Sequence, residues 1–332
     1  MTFGEEWGVG CDESTSRELI DRYIEGGGNF LDTANIYNDG SSELIIGNHL
    51  GRQPAKRDRI VIATKFSGNM HAKDPNGGGA NRKSVISACE SSLRRLQTDY
   101  IDLYWLHWND PFTPIDETLS ALNSLVSSGK IRYFGFSDSF AWRVARAHAL
   151  AEVRGWAPVV ALQFEYSLLE RTVEGELIPM ALELDLAVMP WSPLRGGLLS
   201  GKYSRSNMVA LSPGRTAVIS RGANEHTHQV LDTLEAIARR LHAPVANVAL
   251  AWVVSRPGVT STIIGARSIS QLEMNLQALE LQLNKDDLAE LNAATMPLLG
   301  FPHAFLSESY RASFPGNTIN GQHFPSYARY EF

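Results

Sequence analysis

Short apolar runs alternate with longer amphipathic ones along most of the chain, a pattern that predicts repeated βα units around a parallel sheet. The helix-like "SRELIDRYIEGG" stops at Gly26 to Gly28 and the strand "NFLDTA" follows. "SSELIIGNHLG" reads as a helix and "IVIATKF" as a strand. Beyond a loop at Gly77 to Gly79, "NRKSVISACESSLRRLQ" places Val85, Ile86, Cys89, Leu93 and Leu96 at helical spacing. The strand "IDLYWLHW" comes next, then a helix opened by Pro114 and closed by Gly129. Strands "IRYFGFSD", "VVALQFEYS" and "LAVMPWSPL" alternate with helices "AWRVARAHALAEVRG" and "EGELIPMALELD". A long loop from Arg195 to about Glu225 precedes helices "HQVLDTLEAIARRLH" and "VANVALAWVVSR", the strand "STIIGA" and the helix "SISQLEMNLQALELQL".

These are seven strands with no compositional break between them, so a single domain over residues 1–332 is expected. Eight strands would close a (β/α)8 TIM barrel. The first would then be truncated, with "MTFG" as its last residues. A doubly wound open sheet would carry a G-x-G-x-x-G fingerprint after an early strand, and none occurs. Residues 296–332 form an aromatic-rich C-terminal tail (Phe301, Phe305, Tyr310, Phe314, Phe324, Tyr327, Tyr330, Phe332) poor in helical periodicity. Two readings stand for it: packing across the outside of the barrel or on a neighbouring subunit, and a flap over the mouth.

Composition narrows the class without naming a chemistry. The 332 residues are 44% hydrophobic and 20% charged, with a formal net charge of -6, which argues against a nucleic-acid partner. No apolar run approaches the roughly 18 residues needed to span a bilayer, and the N-terminus lacks a signal-peptide pattern. Two cysteines, Cys11 and Cys89, with no CxxC pair, fit a cytoplasmic protein. "HTH" at His226 to His228 reads as a solvated helix N-terminus, and no metal site is expected.

In a barrel of this kind the chemistry sits at the C-terminal strand ends. Asp32 ends one strand with Tyr37 in the loop beyond it; Lys65 ends the next and His107 the one after. A free tyrosine has a pKa of about 10 and is a poor acid at neutral pH. An adjacent ammonium is expected to lower that pKa, and a carboxylate behind the lysine to keep it charged. Asp32 would thus orient Lys65, Lys65 would tune Tyr37, Tyr37 would exchange a proton with a substrate oxygen, and His107 would help position that oxygen. The set suits protonation of a carbonyl oxygen as its carbon receives a hydride. It does not suit hydrolysis, because no nucleophile is activated by a base.

The later strands offer places for a hydride carrier. "RGGLLSGKY" has P-loop spacing at Gly196, Gly201 and Lys202, but Tyr203 replaces the Ser or Thr that holds magnesium. A glycine loop over a pyrophosphate is the better reading. "IIGARSISQLEMN" enters a helix whose N-terminal amides favour anions, and Arg267 and Ser268 would hold a ribose 2′-phosphate. Trp191 would stack on a nicotinamide, with Ser137, Asp138 and Gln163 binding its carboxamide. The bland alternative has Gln163 and Trp191 simply filling the top layer of the barrel.

Taken together, these motifs resemble the aldo-keto reductases. "FLDTANIY" is similar to the family's Asp and Tyr motif, "ATKF" to its lysine strand and "LHW" to its histidine strand. "GFSD", "LQFEYS" and "PWSPLRGGLLSGK" resemble its nicotinamide and pyrophosphate elements, and "IIGARSISQLEMN" its 2′-phosphate segment. The resemblance spans roughly Phe3 to Leu283. It implies a (β/α)8 barrel that binds NADPH/NADP+ without a Rossmann domain and reduces aldehydes or ketones, with Tyr37 as general acid. It adds Ser192, Leu194, Gly265, Gln271 and Asn275 to the cofactor residues, and Trp108 faces the substrate. The position of Asp138 is often asparagine in the family. Two other functions share the scaffold: a nucleotide-sensing protein like the potassium-channel β-subunits, and a Schiff-base lyase using Lys65. A homo-oligomer is possible, and the carbonyl substrate is set by loops including residues 205–221.

Overall fold

The structure, a computed structural model, describes residues 1–203, 224–313, 318–319 and 322–323. Six parallel strands form one sheet in chain order: β1 (Phe30–Asp32), β2 (Val61–Phe66), β3 (Ile101–Leu106), β4 (Ile131–Ser137), β5 (Val159–Glu165) and β6 (Ala187–Trp191). Helix α1 (Glu13–Glu25) precedes β1, and between the strands run α2 (Ser41–Ile46), α3 (Pro54–Arg57), α4 (Arg82–Leu96), α5 (Ile115–Ser127), α6 (Ala141–Arg154) and α7 (Leu177–Glu183). After β6 come α8 (Glu225–Arg240), α9 (Val245–Val254), α10 (Ile269–Gln277), α11 (Lys285–Ala294) and α12 (His303–Ser313). Helix starts are set by side-chain caps: Asp12 accepts from Thr15 N, Asn81 from Ser84 N and Asn224 from Thr227 N.

Strand alternation sorts the side chains into two cores. Tyr104, Leu106, Phe134, Phe136, Leu162 and Val188 join the large cluster between sheet and helices. Ala63, Leu103, Trp105, Ala161 and Met189, with Phe30 and Ile263 against them, form a smaller cluster on the inner face. Trp105 fills that interior, and Gly135 on β4 makes room for it. A methyl group at Gly135 would lie 2.4 Å from the Trp105 ring and 2.6 Å from Ala161 O.

Two expectations change here. The seventh expected strand, 261–266, is extended but does not become a ladder. Among the described residues its backbone bonds to β6, through Ser261 N to Val188 O (3.4 Å) and Ile263 N to Pro190 O (2.8 Å), and Thr260 N just before it donates to Val188 O (2.8 Å). Among the described residues no strand pairs with its other side. "MTFG" does not join the sheet either: Gly4 N donates to Cys11 O and Cys11 N to Thr2 O, both at 3.0 Å, in a local bridge. Thr2 nevertheless lies beside Gly265, whose added Cβ would meet it at 3.3 Å, so the two segments are neighbours. Outside them α1 packs on α10, with Arg22 and Glu273 ion-paired at 2.9 Å. The sheet among the described residues is therefore a curled six-stranded parallel sheet and not a closed eight-stranded barrel.

The tail departs from expectation as well. Its first part is the helix α12, followed by a short hairpin of Thr318–Ile319 with Gln322–His323. Phe314, Phe324, Tyr327, Tyr330 and Phe332 lie outside the described residues, as does most of the expected loop between Arg195 and Glu225. Among the described residues, no helix is long and apolar enough to cross a membrane.

Candidate active site

Each strand that supplies the inner core also delivers a polar group two residues further on. Phe30 leads to Asp32, Ala63 to Lys65, Trp105 to His107, Gly135 to Ser137, Ala161 to Gln163 and Met189 to Trp191. Because side chains alternate with period two, these groups share the inner face and meet at its C-terminal mouth.

The quartet expected from the sequence comes together there. Lys65, 1% exposed, is ion-paired with Asp32 Oδ1 and donates to Thr33 O (2.9 Å) and Tyr37 Oη (3.1 Å). Tyr37 Oη also stands 3.4 Å from His107 Nε2. The second carboxylate oxygen of Asp32 accepts from Gln163 Nε2 at 2.9 Å, a contact the sequence did not reveal. The three donors of Lys65 are thus directed at Asp32, a backbone carbonyl and the phenol, which holds the ammonium in one position.

The electrostatics correct one expectation. Burial raises the Tyr37 pKa, Lys65 opposes that rise, and Asp32 adds to it. The ammonium does not depress the phenol below its ordinary value, because its partner carboxylate cancels much of its field. Tyr37 is a protonated donor at neutral pH. Burial would lower the Lys65 pKa, but Asp32 and Tyr37 together raise it, so the lysine is a cation and not a free amine nucleophile. Burial and the nearby Lys65 lower the His107 pKa to about 3, making its imidazole neutral. His107 Nδ1 has no hydrogen-bond partner among the described residues.

Two indoles lie against the quartet, one on His107 and one on Tyr37. Trp108, as expected, lies beside His107, with ring centroids 4.4 Å apart. Trp7 is the residue the sequence reading missed: its ring meets Tyr37 edge-on at 6.1 Å. Asn38 Oδ1 accepts from Trp7 N at 3.1 Å and fixes that turn. Both indoles are about two-fifths exposed, at 39% and 40%. A tryptophan standing in the polar stretch "GEEWGVG" was the available signal.

The expected cofactor residues fall into two groups. Around the mouth, Ser137 Oγ is buried without a hydrogen-bond partner among the described residues, and Trp191 Nε1 donates to Asp138 Oδ1 at 3.1 Å. Ser192, Arg195, Gly196 and Gly197 all have positive φ, and Ser192 Oγ accepts from Gly196 N at 3.1 Å. Leu194 opens the short helical turn that follows, and the buried Leu198 and Leu199 anchor it. The turn is closed by its own amides: Arg195 N donates to Ser192 O (2.8 Å) and Gly197 N to Leu194 O (2.9 Å). Gly201, at φ 80°, ends the turn beside the exposed Lys202.

At the other end, Ser268 caps α10 and Gln271 Oε1 accepts from Arg267 N at 3.0 Å. Among the described residues Arg267 has no ion-pair partner, and Asn275 is buried on the same helix. Gly265 lies just before this helix. His226 and His228 lie in the first turn of α8, which Asn224 caps.

The arrangement is that of an α/β protein with Tyr, Lys, Asp and His at one mouth, and the comparisons give its family. The chain belongs to the aldo/keto reductase family, whose model matches residues 1–295. It is 40% identical over 295 residues to a protein described as an uncharacterized oxidoreductase, YrpG, of Bacillus subtilis, covering 86% of this chain and 88% of that one. It is 35% identical to the aryl-alcohol dehydrogenase GME11368 of Pestalotiopsis microspora, over 92% of this chain and 80% of that one. It is 32% identical to the NADP(+) aryl-alcohol dehydrogenase of Phanerodontia chrysosporium, over 93% of this chain and 84% of that one.

Proposed function

We propose that this chain interconverts aldehydes or ketones and their alcohols with NADPH/NADP+, using Tyr37 as the proton donor to the carbonyl oxygen. The observation that carries the reading is the position of Tyr37 Oη, 3.1 Å from Lys65 Nζ and 3.4 Å from His107 Nε2. We place the sheet in the family's (β/α)8 architecture, with residues 259–266 and 2–4 standing where the last and first strands would.

The residues present fit a nicotinamide dinucleotide. Ser137 offers an unpartnered buried hydroxyl, the turn at 192–197 offers a glycine backbone with positive φ, and Arg267 and Ser268 offer a cation and a helix N-terminus for a 2′-phosphate. When bound, this cofactor supplies a hydride to the carbonyl carbon. Tyr37 then gives its proton to the carbonyl oxygen, Lys65 stabilises the phenolate left behind, and solvent restores the proton. Neutral His107 orients the carbonyl oxygen by a hydrogen bond without adding a charge to the mouth. Asp32 and Gln163 hold Lys65 in line.

Aromatic aldehydes and alcohols are the substrate class we favour. Trp7 meets the phenol and Trp108 lies beside His107, and two of the relatives bear the name aryl-alcohol dehydrogenase. Steady oxidation of NADPH by 4-nitrobenzaldehyde, with the benzyl alcohol as product, is the expected result. Tight NADPH binding with no turnover of any aromatic or aliphatic aldehyde would favour a nucleotide sensor instead.

A further inference from the structure

Asp138 is held firmly at the end of β4. Its N–H donates to Gln163 O at 3.0 Å, its carbonyl accepts from Asn109 N at 3.2 Å, and its backbone sits at φ 42°. The carboxylate accepts a hydrogen bond from the neutral indole of Trp191, and another polar neighbour, the Ser137 hydroxyl, is also uncharged. Among the described residues no cation pairs with it. Lys65 is already paired with Asp32, and Arg195 lies between Glu165 (2.5 Å) and Glu170 (4.0 Å). Solvent still reaches Asp138 at the wall of a cleft shared with Phe140, Phe164, Glu165 and Trp191. A ligand lying against Trp191 would cover a carboxylate that lacks a countercharge.

On the cofactor reading above, that ligand is a nicotinamide, a ring that is cationic when oxidised and neutral when reduced. We propose that Asp138 is a charge-selective residue of the nicotinamide subsite, favouring the binding of NADP+ over that of NADPH. An asparagine at the same position would keep the hydrogen bond from Trp191 and lose the charge. At the separations found within one subsite, and after screening by the solvent that enters the cleft, the charge is worth roughly tenfold in relative affinity.

The bias should titrate. Crowding by the surrounding loops raises the Asp138 pKa to about 6; the Trp191 hydrogen bond and Lys65 oppose the rise, and Glu165 adds to it. Ser137 and Gln163 beside it and Tyr37 across the mouth are neutral. NADP+ favours the carboxylate, whereas NADPH covers it without compensation and favours the acid. The preference for NADP+ is therefore largest above neutrality and fades as Asp138 takes up a proton. The 2′-phosphate is common to both cofactors, so its own titration cancels in their ratio.

The test is fluorescence titration of wild type and Asp138→Asn with NADP+ and with NADPH, at about pH 8 and about pH 5. The expected result is a Kd(NADPH)/Kd(NADP+) ratio roughly tenfold higher in wild type than in the variant at the higher pH, converging at the lower. Equal ratios in the two proteins would overturn the proposal. Should the variant fail to fold, the wild-type ratio decides alone: a ratio that does not change with pH overturns it. If wild type binds neither dinucleotide, the cofactor reading fails and this inference fails with it; binding of both at a constant ratio defeats the inference only.

Discussion

Gln163 on β5 donates to Asp32 Oδ2 on β1 at 2.9 Å, although three strands lie between them in the sheet. In a flat sheet those strands would be about 19 Å apart, four spacings of roughly 4.8 Å. The bond therefore reports the curl of the sheet, and it ties that curl to the chemistry. The carboxylate that holds Lys65 with one oxygen is itself held through the other by the opposite wall.

That dependence can be tested through the Lys65–Asp32 pair. Lys65→Met leaves a nearly buried carboxylate without its cation and should reduce folding stability by about 3–5 kcal/mol in urea denaturation. Adding Asp32→Asn should restore most of that loss while turnover stays low. Additive losses in the double variant would show that the two residues do not act as a buried pair.

Arg267 is expected to recognise charge at the adenosine end. Arg267→Ala should raise the Kd of NADPH by about tenfold and leave that of NADH nearly unchanged, since only the former has a phosphate for a charge-assisted bond. Equal weakening of both would remove Arg267 from 2′-phosphate recognition.

His107 links the site to acid stability. Its folded-state pKa is lowered to about 3, against about 6.5 for an unfolded histidine. Above the unfolded value the group has no effect on stability. As pH falls below it, the unfolded chain takes up a proton the folded protein refuses, and stability declines by up to about 1.4 kcal/mol per pH unit. Wild type should therefore lose stability more steeply than His107→Gln between about pH 6 and about pH 4. Parallel curves would mean that His107 is protonated in the folded protein.

Trp7 is expected to select flat substrates. Trp7→Ala should raise KM for an aromatic aldehyde by about three- to tenfold, with little change for a short aliphatic one, and Trp7→Phe should recover part of the loss. A uniform change for both substrates would assign Trp7 to holding the turn at Asn38 instead.

Much of this site was legible in the sequence because strand alternation is strict. Once "FLD", "ATK", "WLH", "GFS" and "LQF" are recognised as strand ends, the polar residues of one face must converge. What escaped depended on contacts between distant segments. The turn carrying Trp7 is tied to the segment after Tyr37 by Asn38, which accepts the Trp7 N–H and donates to Met1 O and Phe3 O. The apolar run 261–266 reads as a strand, but a strand also needs a continuous ladder, and this segment makes only scattered bonds to β6. Helix α11 was overlooked despite a local signal, the reciprocal cap between Asn284 and Asp287. The direction of the Tyr37 shift was misjudged because burial of the phenol and pairing of Lys65 with Asp32 together outweigh the ammonium.

The most direct measurement compares wild type with Tyr37→Phe, titrating NADPH by fluorescence and then following a single turnover of an aromatic aldehyde. NADPH should bind both proteins with similar Kd, while the turnover rate of the variant falls by about 10²–10⁴-fold, because only the proton donor has been removed. An unchanged rate in the variant would contradict the assignment of Tyr37 as the acid.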